Sequence, residues 1–141
     1  MATGIDVFSA VATVISTLDI VIRTMRELYD ARERQQNLSK LLQTHEQELE
    51  NIRQILKVVK LEPVLQLGTM IEDLEQLEDH GRSLRICLRE YAKDRGQVRQ
   101  YANQFFNGRR TIDDIAAIMA DMSRAKANLN MKIQVTHVGL T

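Results

Sequence analysis

Apolar residues recur at alternating intervals of three and four residues through most of this chain, and that periodicity limits the folds it can adopt. In the first segment the row comprises Phe8, Val11, Ile15, Leu18, Ile22, Met25 and Tyr29. A second row beside it repeats every seven residues, at Val7, Val14, Val21 and Leu28. This spacing is typical of an amphipathic α-helix, and two adjacent rows form an apolar face that must be covered on more than one side. The first segment therefore predicts the central helix of a bundle.

The same spacing predicts three further long helices. We expect helices over residues 6–31, 37–61, 64–95 and 111–137, with a short connecting helix over 97–106. Asp6 or Thr3 is a candidate N-cap of the first helix. The breaks are expected at Pro63, Gly96 and the Asn107-Gly108 pair, because proline and glycine commonly lie at helix ends. Residues 1–4 are expected to be disordered.

Four helices of about 25 residues with turn-like breaks most simply form an up-and-down bundle. We therefore predict an all-α, single-domain chain over residues 1–141, with four long helices and one short connecting helix. An extended dimeric coiled coil is the alternative. The breaks disfavour one continuous rod, although they are compatible with a dimer of bundles.

Composition excludes several other classes of protein. Lys plus Arg and Asp plus Glu both number 19, so no net positive field favours nucleic acid. Six glycines and one proline are too few for a multi-stranded β fold, and a single cysteine excludes an internal disulfide framework. A signal peptide begins with a positively charged segment, whereas residues 1–22 contain no Lys or Arg. Asp6 and Asp19 also interrupt the apolar run. We expect a cytoplasmic protein.

No catalytic or cofactor motif is recognisable in the sequence. The glycines are never clustered as in a phosphate-binding loop, and no two histidines have a metal-binding spacing. We therefore predict no enzymatic activity, cofactor or metal. His45 interrupts the apolar row of the second helix and is expected to be partly buried and hydrogen-bonded, and Cys87 is expected to be a small buried apolar residue.

Several segments together resemble the N-terminal helical domains of fungal NLR-like (STAND) receptors, of the HeLo, HeLo-like and SesA types. They are the apolar opening over residues 5–15, the Tyr29-Asp30-Ala31 that follows it, a leucine-rich second helix, and the closing stretches over residues 125–129 and 133–141. The pattern of helix lengths and apolar blocks covers nearly the whole chain. In such receptors the helical domain precedes a nucleotide-binding module, so the resemblance implies that one follows here.

The resemblance implies an effector of regulated cell death, in heterokaryon incompatibility or innate immunity. Such a domain oligomerises on activation and becomes membrane-associated through its N-terminal helix. Transferred to this sequence, the membrane-active segment comprises Ile5, Val7, Phe8, Val11, Val14, Ile15, Leu18, Val21 and Ile22. Arg99, Arg109 and Arg110 form a small basic group that is a candidate for headgroup or partner contacts, although the sequence alone favours a solvated surface. A homotypic oligomerisation or adaptor-binding module without membrane activity is the alternative function, and a plain structural bundle is a third.

Overall fold

The computed structural model describes the backbone of residues 6–31, 36–94 and 101–140, and the side chains of residues 6–28, 40–91, 112–136 and 138. Within these ranges the chain forms four long helices: α1 (Val7–Ala31), α2 (Gln36–Leu61), α3 (Ile71–Asp94) and α4 (Tyr101–Leu140). Two 3₁₀ turns, Pro63–Leu65 and Gly68–Met70, connect α2 to α3. The predicted all-α four-helix architecture is confirmed.

Contacts between side chains define how the helices run. Arg53 of α2 pairs with Asp19 of α1, and Glu46, earlier in α2, pairs with Arg26, about two turns later in α1, so α1 and α2 are antiparallel. Lys132, near the end of α4, contacts Thr69 in the turn just before α3 and Asp73 in the first turn of α3, so these two helices are also antiparallel. Helix α1 packs against both α2 and α3, while α2 meets α4 along a narrower contact. The fold is therefore an up-and-down bundle with α1 covered on two sides.

The apolar rows expected from the sequence form the core. In α1 all four members of the seven-residue row are buried, together with Val11, Leu18, Ile22 and Met25 of the other row. Helix α4 contributes Ile115, Met119, Met122, Ala125 and Leu129 to the same core. Periodicity thus identified the buried face of each helix, because one face of an amphipathic helix must leave water for the fold to be stable.

Helix α4 differs from the prediction at its beginning. The expected break at Asn107-Gly108 is wrong: the helix is continuous from Tyr101 to Leu140, and residues 101–106 are its first turns, not part of a separate connecting helix. Residues 95–100 lie outside the described part of the chain, as do residues 1–4. An interior glycine costs a helix only about 1 kcal/mol relative to alanine, and a helix of 40 residues tolerates this because its hydrogen bonds continue on both sides.

The connection between α2 and α3 also differs from the prediction. The sequence predicts a third helix from residue 64, but Pro63 begins a 3₁₀ turn and α3 starts only at Ile71. Between the two turns Leu67 is extended, with φ −85° and ψ 134°, which interrupts the helical path. Pro63 has no backbone N–H and a fixed φ, so it suits the first position of a helical turn of either kind.

Candidate functional site

Helix α1 carries the candidate membrane-active segment, and a side-chain cap fixes where it begins. The Ser9 backbone N–H donates to Oδ1 of Asp6 at 2.6 Å, so Asp6 is the N-cap, as one of the two sequence alternatives held. This hydrogen bond lowers the pKa of the exposed Asp6 carboxyl below its usual value. The Asp6 side chain thus satisfies a backbone N–H group in the first turn of α1.

Most of the candidate segment lies in the core of the bundle. Six of its residues are buried: Val7, Val11, Val14, Leu18, Val21 and Ile22. Ile15 is half-buried against the core, and Phe8 is 45% exposed. Ile5 lies outside the described residues. The apolar face that would meet lipid is thus occupied in this conformation by contacts with α2 and α3.

A close polar contact joins α1 to α3. The Thr17 hydroxyl donates to the Glu78 carboxylate, at 2.7 Å from Oε1 and 2.9 Å from Oε2, and Arg82 also donates to Oε1 at 3.0 Å. One turn further along α3, Gly81 is buried, and a Cβ there would lie 2.9 Å from Cγ2 of Thr17. Glycine therefore allows α1 and α3 to approach this closely, because a Cβ at residue 81 would force Thr17 to shift.

Charged pairs join α1 to α2. Asp19 and Arg53 are 2.7 Å apart, and Arg26 pairs with Glu46 nearer the other end of the helices. The Arg53 guanidinium also donates to Glu50, and that hydrogen bond lowers the pKa of the Glu50 carboxyl. Between Val7 and Ile22, Asp19 is the one charged residue, and here it is held by a partner on the neighbouring helix.

The end of the bundle where α1 begins carries exposed apolar side chains. Phe8 lies beneath the ammonium of Lys60, which is 5.7 Å from the ring centroid. Leu61 at the end of α2 and Val64 in the first 3₁₀ turn are 77% and 52% exposed. An apolar group of this kind next to a lysine is compatible with contact with a lipid surface, although exposed single apolar residues are also common in soluble proteins.

Helix α1 is long and apolar enough to cross a membrane. The segment Val7–Leu28 has 22 residues; an 18-residue stretch within it has a mean hydropathy of 1.6, and 33% of that stretch is buried in the bundle. The core helix of a soluble protein satisfies the same criterion, so this property alone does not distinguish the two roles.

The predicted basic group cannot be assembled from the described side chains. Arg99 lies outside the described residues. Arg109 and Arg110 lie in α4, but only their backbone is described. The headgroup contact proposed for them stays a prediction.

Two other expectations from the sequence concern His45 and Cys87. His45 is half-buried as expected, but its Nε2 has no hydrogen-bond partner among the described residues, and burial lowers its pKa. Cys87 is partly buried, and burial, assisted by the negative charges of Asp114 and Glu90, raises the pKa of its thiol. Both groups are thus favoured in their uncharged forms.

Two features were missed by sequence reasoning. One is the Thr17–Glu78–Gly81 contact, which depends on how α1 and α3 align across some 60 residues of chain. The other is an exposed apolar row near the end of α4, formed by Met131, Val135 and Val138. The spacing of four and three residues could have predicted this second apolar row. The row was missed because the same helix also carries the apolar row of Ile115, Met122 and Leu129, which accounts for its buried face.

A polar groove of about 450 Å³ lies between α3 and α4, just before this exposed row. Asp79 and His80 line one side, and Asp121, Arg124 and Asn128 line the other. Asp121 and Arg124 form an ion pair at 3.7 Å. Among the described residues no three His, Cys, Asp or Glu side chains are grouped so that they could hold a metal ion.

Comparison of the chain with protein-family models, with curated proteins and with solved structures gives no match.

Proposed function

We propose that this chain is the N-terminal effector domain of a fungal NLR-like receptor of the HeLo, HeLo-like or SesA type. It acts in regulated cell death without catalysis, by self-associating and targeting a membrane with α1. The supporting observation is that α1, the helix nearest the N-terminus, combines membrane-spanning length with a mean hydropathy of 1.6. The bundle supplies a resting state in which its apolar face is covered.

The distribution of charge along α1 suits this role. Residues 7–18 contain no charged side chain, and Asp19, Arg23, Arg26 and Glu27 follow within the next turns. The 16 residues from Val7 to Ile22 span about 24 Å as a helix, compared with about 30 Å for a bilayer's hydrocarbon core. Asp19 and Arg23 are four residues apart, so a released α1 would place a compensated pair near the membrane surface.

Release of α1 requires the polar contacts with its neighbours to break. Glu46, Arg53 and Glu78 would remain on α2 and α3, while Thr17, Asp19 and Arg26 would leave with α1. Breaking these contacts would cost much less free energy than exposing the apolar core residues to water. We therefore propose that transfer of α1 is coupled to lipid or to another copy of the domain, which would cover that apolar face again.

A leakage assay on dye-loaded vesicles tests this function. The purified domain is assayed alone and after forced oligomerisation by a fused tag, and the tagged form is expected to release dye. Ser16 is exposed on α1 near the middle of the apolar segment, so Ser16→Asp is expected to fold normally. It should nevertheless suppress leakage about 100-fold, because a charge at the centre of a spanning helix costs about 2.5–3.5 kcal/mol.

Ser83→Asp is the matched control, because Ser83 is an exposed serine on α3. It is expected to release dye like the unsubstituted domain. Absence of leakage in both the untagged and tagged forms would contradict membrane activity, as would equal leakage by Ser16→Asp. Association without any effect on vesicles would favour the alternative, a homotypic oligomerisation or adaptor-binding module.

A further inference from the structure

The bundle consists of two helical hairpins, α1–α2 and α3–α4. Within each hairpin the two antiparallel helices pack along a broad contact, and α1 also packs broadly against α3. Helix α2 meets α4 along a much narrower contact. The two hairpins are therefore held together mainly by the packing of α1 on α3.

Two kinds of opening would uncover the apolar face of α1. Removal of α1 alone breaks its contacts with α2 and α3, whereas separation of the hairpins breaks the contacts of α1 with α3 and of α2 with α4. The α1–α3 contact is lost in both cases, so the difference lies between the broad α1–α2 contact and the narrow α2–α4 contact. Because the cost in free energy rises with the apolar area that is exposed, separation of the hairpins is the less costly opening.

The connection between the hairpins contains a point about which they can rotate, at Leu67. The Gln66 side-chain amide donates at 3.2 Å to two backbone carbonyls in the last turn of α2, so the first 3₁₀ turn is bonded to α2, although it also touches α4. The Lys132 ammonium donates to the Thr69 carbonyl at 2.7 Å, so the second turn is bonded to α4. Leu67 lies between these attachments in an extended conformation, where a change in a few backbone angles would let the hairpins move apart.

A sheltered polar contact joins the two hairpins where α1 and α3 approach most closely. The Glu78 side chain is 13% exposed and accepts the Thr17 hydroxyl at 2.7 Å, next to the close approach at Gly81. The charged side chains of α1 that pair with α2, Asp19 and Arg26, are 53% and 58% exposed. A hydrogen bond to a carboxylate sheltered from water stabilises a contact more than an exposed ion pair does. We refer to Thr17, Glu78 and Gly81 as the α1–α3 latch.

We infer that this domain opens between its two hairpins, and that the α1–α3 latch is the autoinhibitory contact that keeps it closed. Opening uncovers the side of α1 that α3 covers, while α2 still covers the other side. The separation of the hairpins thus precedes the transfer of α1 to a membrane. The autoinhibitory role rests on the proposed function, whereas the opening itself is a property of the lipid-free chain.

Two adjacent buried residues of α1 report on its two sides. Val21 is one turn after Thr17 and lies on the side of α1 that faces α3. Ile22 is three residues after Asp19 and four before Arg26, so it lies on the side that faces α2. Both are β-branched and almost completely buried, which makes them a matched pair.

Thiol labelling of the lipid-free chain with iodoacetamide tests the opening. Val21→Cys and Ile22→Cys are each made with Cys87→Ala, which removes the one native thiol. Each labelling rate is compared with the rate that the variant's own global unfolding allows, measured by urea denaturation. Val21→Cys is expected to react at least about tenfold faster than global unfolding allows, because separation of the hairpins exposes it, and Ile22→Cys at the rate of global unfolding.

A valine at position 17 tests the latch itself. Adding Thr17→Val to Val21→Cys keeps the side-chain shape but removes the hydroxyl, and should raise the labelling rate about tenfold because a hydrogen bond to a carboxylate is lost. Thr24→Val is the matched control. Thr24 is also half-buried on α1, but its hydroxyl donates at 2.9 Å to the Ile20 carbonyl of the same helix, so the rate should change little.

A disulfide across the latch tests the autoinhibitory role. A Cβ at residue 81 would lie 3.9 Å from Cβ of Thr17, within the range of about 3.5–4.5 Å that disulfides require. Thr17→Cys/Gly81→Cys with Cys87→Ala is oxidised before the fused tag oligomerises the domain. The oxidised protein is expected to release vesicle dye at least about tenfold more slowly than the same protein after treatment with dithiothreitol.

The labelling results decide the opening without reference to lipid. Labelling of both cysteine variants at the rate of global unfolding, faster labelling of Ile22→Cys, or no acceleration by Thr17→Val would overturn the inference. Equal dye release by the oxidised and reduced disulfide variant would overturn the autoinhibitory role. Absence of dye release from the tagged, unsubstituted domain would contradict the proposed function, and faster labelling of Val21→Cys would still support the opening.

Discussion

Helices α1 and α4 are both amphipathic, but they use their apolar residues differently. Helix α1 packs against α2 and α3, and Phe8 is the one large apolar side chain that is more than one-third exposed among its described residues. Helix α4 packs mainly against α3, buries one apolar row, and leaves Met131, Val135 and Val138 exposed to water. The difference shows that the apolar content of a helix does not by itself reveal how much of it is buried: in α1 it builds the core, and in α4 part of it lies in water.

The largest expected effect contrasts a buried position in α1 with an exposed one in α4. Leu18 is 0% exposed, whereas Val135 is 68% exposed. Leu18→Asp should lower the free energy of unfolding by more than about 4 kcal/mol, because it buries a carboxylate without a partner. Val135→Asp should change it by no more than about 0.5 kcal/mol. Urea denaturation followed by circular dichroism measures both, and similar losses for the two variants would contradict the contrast between the helices.

The two-sided burial of α1 was accessible from sequence because of its pair of adjacent apolar rows. A row repeating every seven residues beside another can be covered only by more than one neighbour, and α1 indeed contacts α2 and α3. The sequence could not tell that Phe8 would be exposed while Val7 is buried. That outcome depends on where the neighbouring helices end, and Lys60 of the last α2 turn is what lies over the Phe8 ring.

Helix ends were predicted less well for a physical reason. Gly108 and Pro63 each predict a helix end, but whether the helix ends there also depends on the conformation of the residues on both sides. The continuous hydrogen bonding of α4 overrides the preference of Gly108, whereas Pro63 begins a short 3₁₀ turn before the chain becomes extended at Leu67. Contacts such as that of Thr17 with Glu78 depend on the alignment of two helices distant in sequence, which periodicity does not specify.

A second prediction concerns the close approach of α1 to α3. Gly81→Ala should lower the free energy of unfolding by about 1–2 kcal/mol, although alanine favours helix, because its Cβ would lie 2.9 Å from Cγ2 of Thr17. Gly68→Ala is the control: nothing lies within 4 Å of a Cβ there, and little change is expected. Adding Thr17→Ser to Gly81→Ala removes the crowded methyl group but keeps the hydroxyl, and should recover part of the loss. Thermal melting of the four proteins checks this, and equal melting temperatures for Gly81→Ala and Gly68→Ala would be inconsistent with the close contact.

A third prediction concerns the narrower contact between α2 and α4. Glu48 of α2 pairs with Lys126 at 2.6 Å and accepts a hydrogen bond from Ser123 at 3.2 Å, and the two charged side chains are each 24% exposed. Glu48→Gln should lower the free energy of unfolding by about 0.5–1 kcal/mol, and 1 M NaCl should reduce the difference. Asp121→Asn breaks the more exposed pair with Arg124 and should have almost no effect. If the loss in free energy of unfolding caused by Glu48→Gln were the same at low and high salt, the attraction between the charges of Glu48 and Lys126 would not contribute to stability.

The smallest expected effect is a pH dependence that His45 produces in α2. Burial lowers the pKa of His45 below its ordinary value of 6.5, so the unfolded chain takes up a proton at a higher pH than the folded chain does. The free energy of unfolding should therefore fall as the pH decreases from about 6.5 toward the folded-state pKa. The carboxyl groups of Asp6 and Glu50, whose pKa values are also lowered, lose their contribution only at more acidic pH. His45→Gln should reduce the slope between pH 7 and 5 in urea titrations, and an unchanged slope would assign that dependence to other groups.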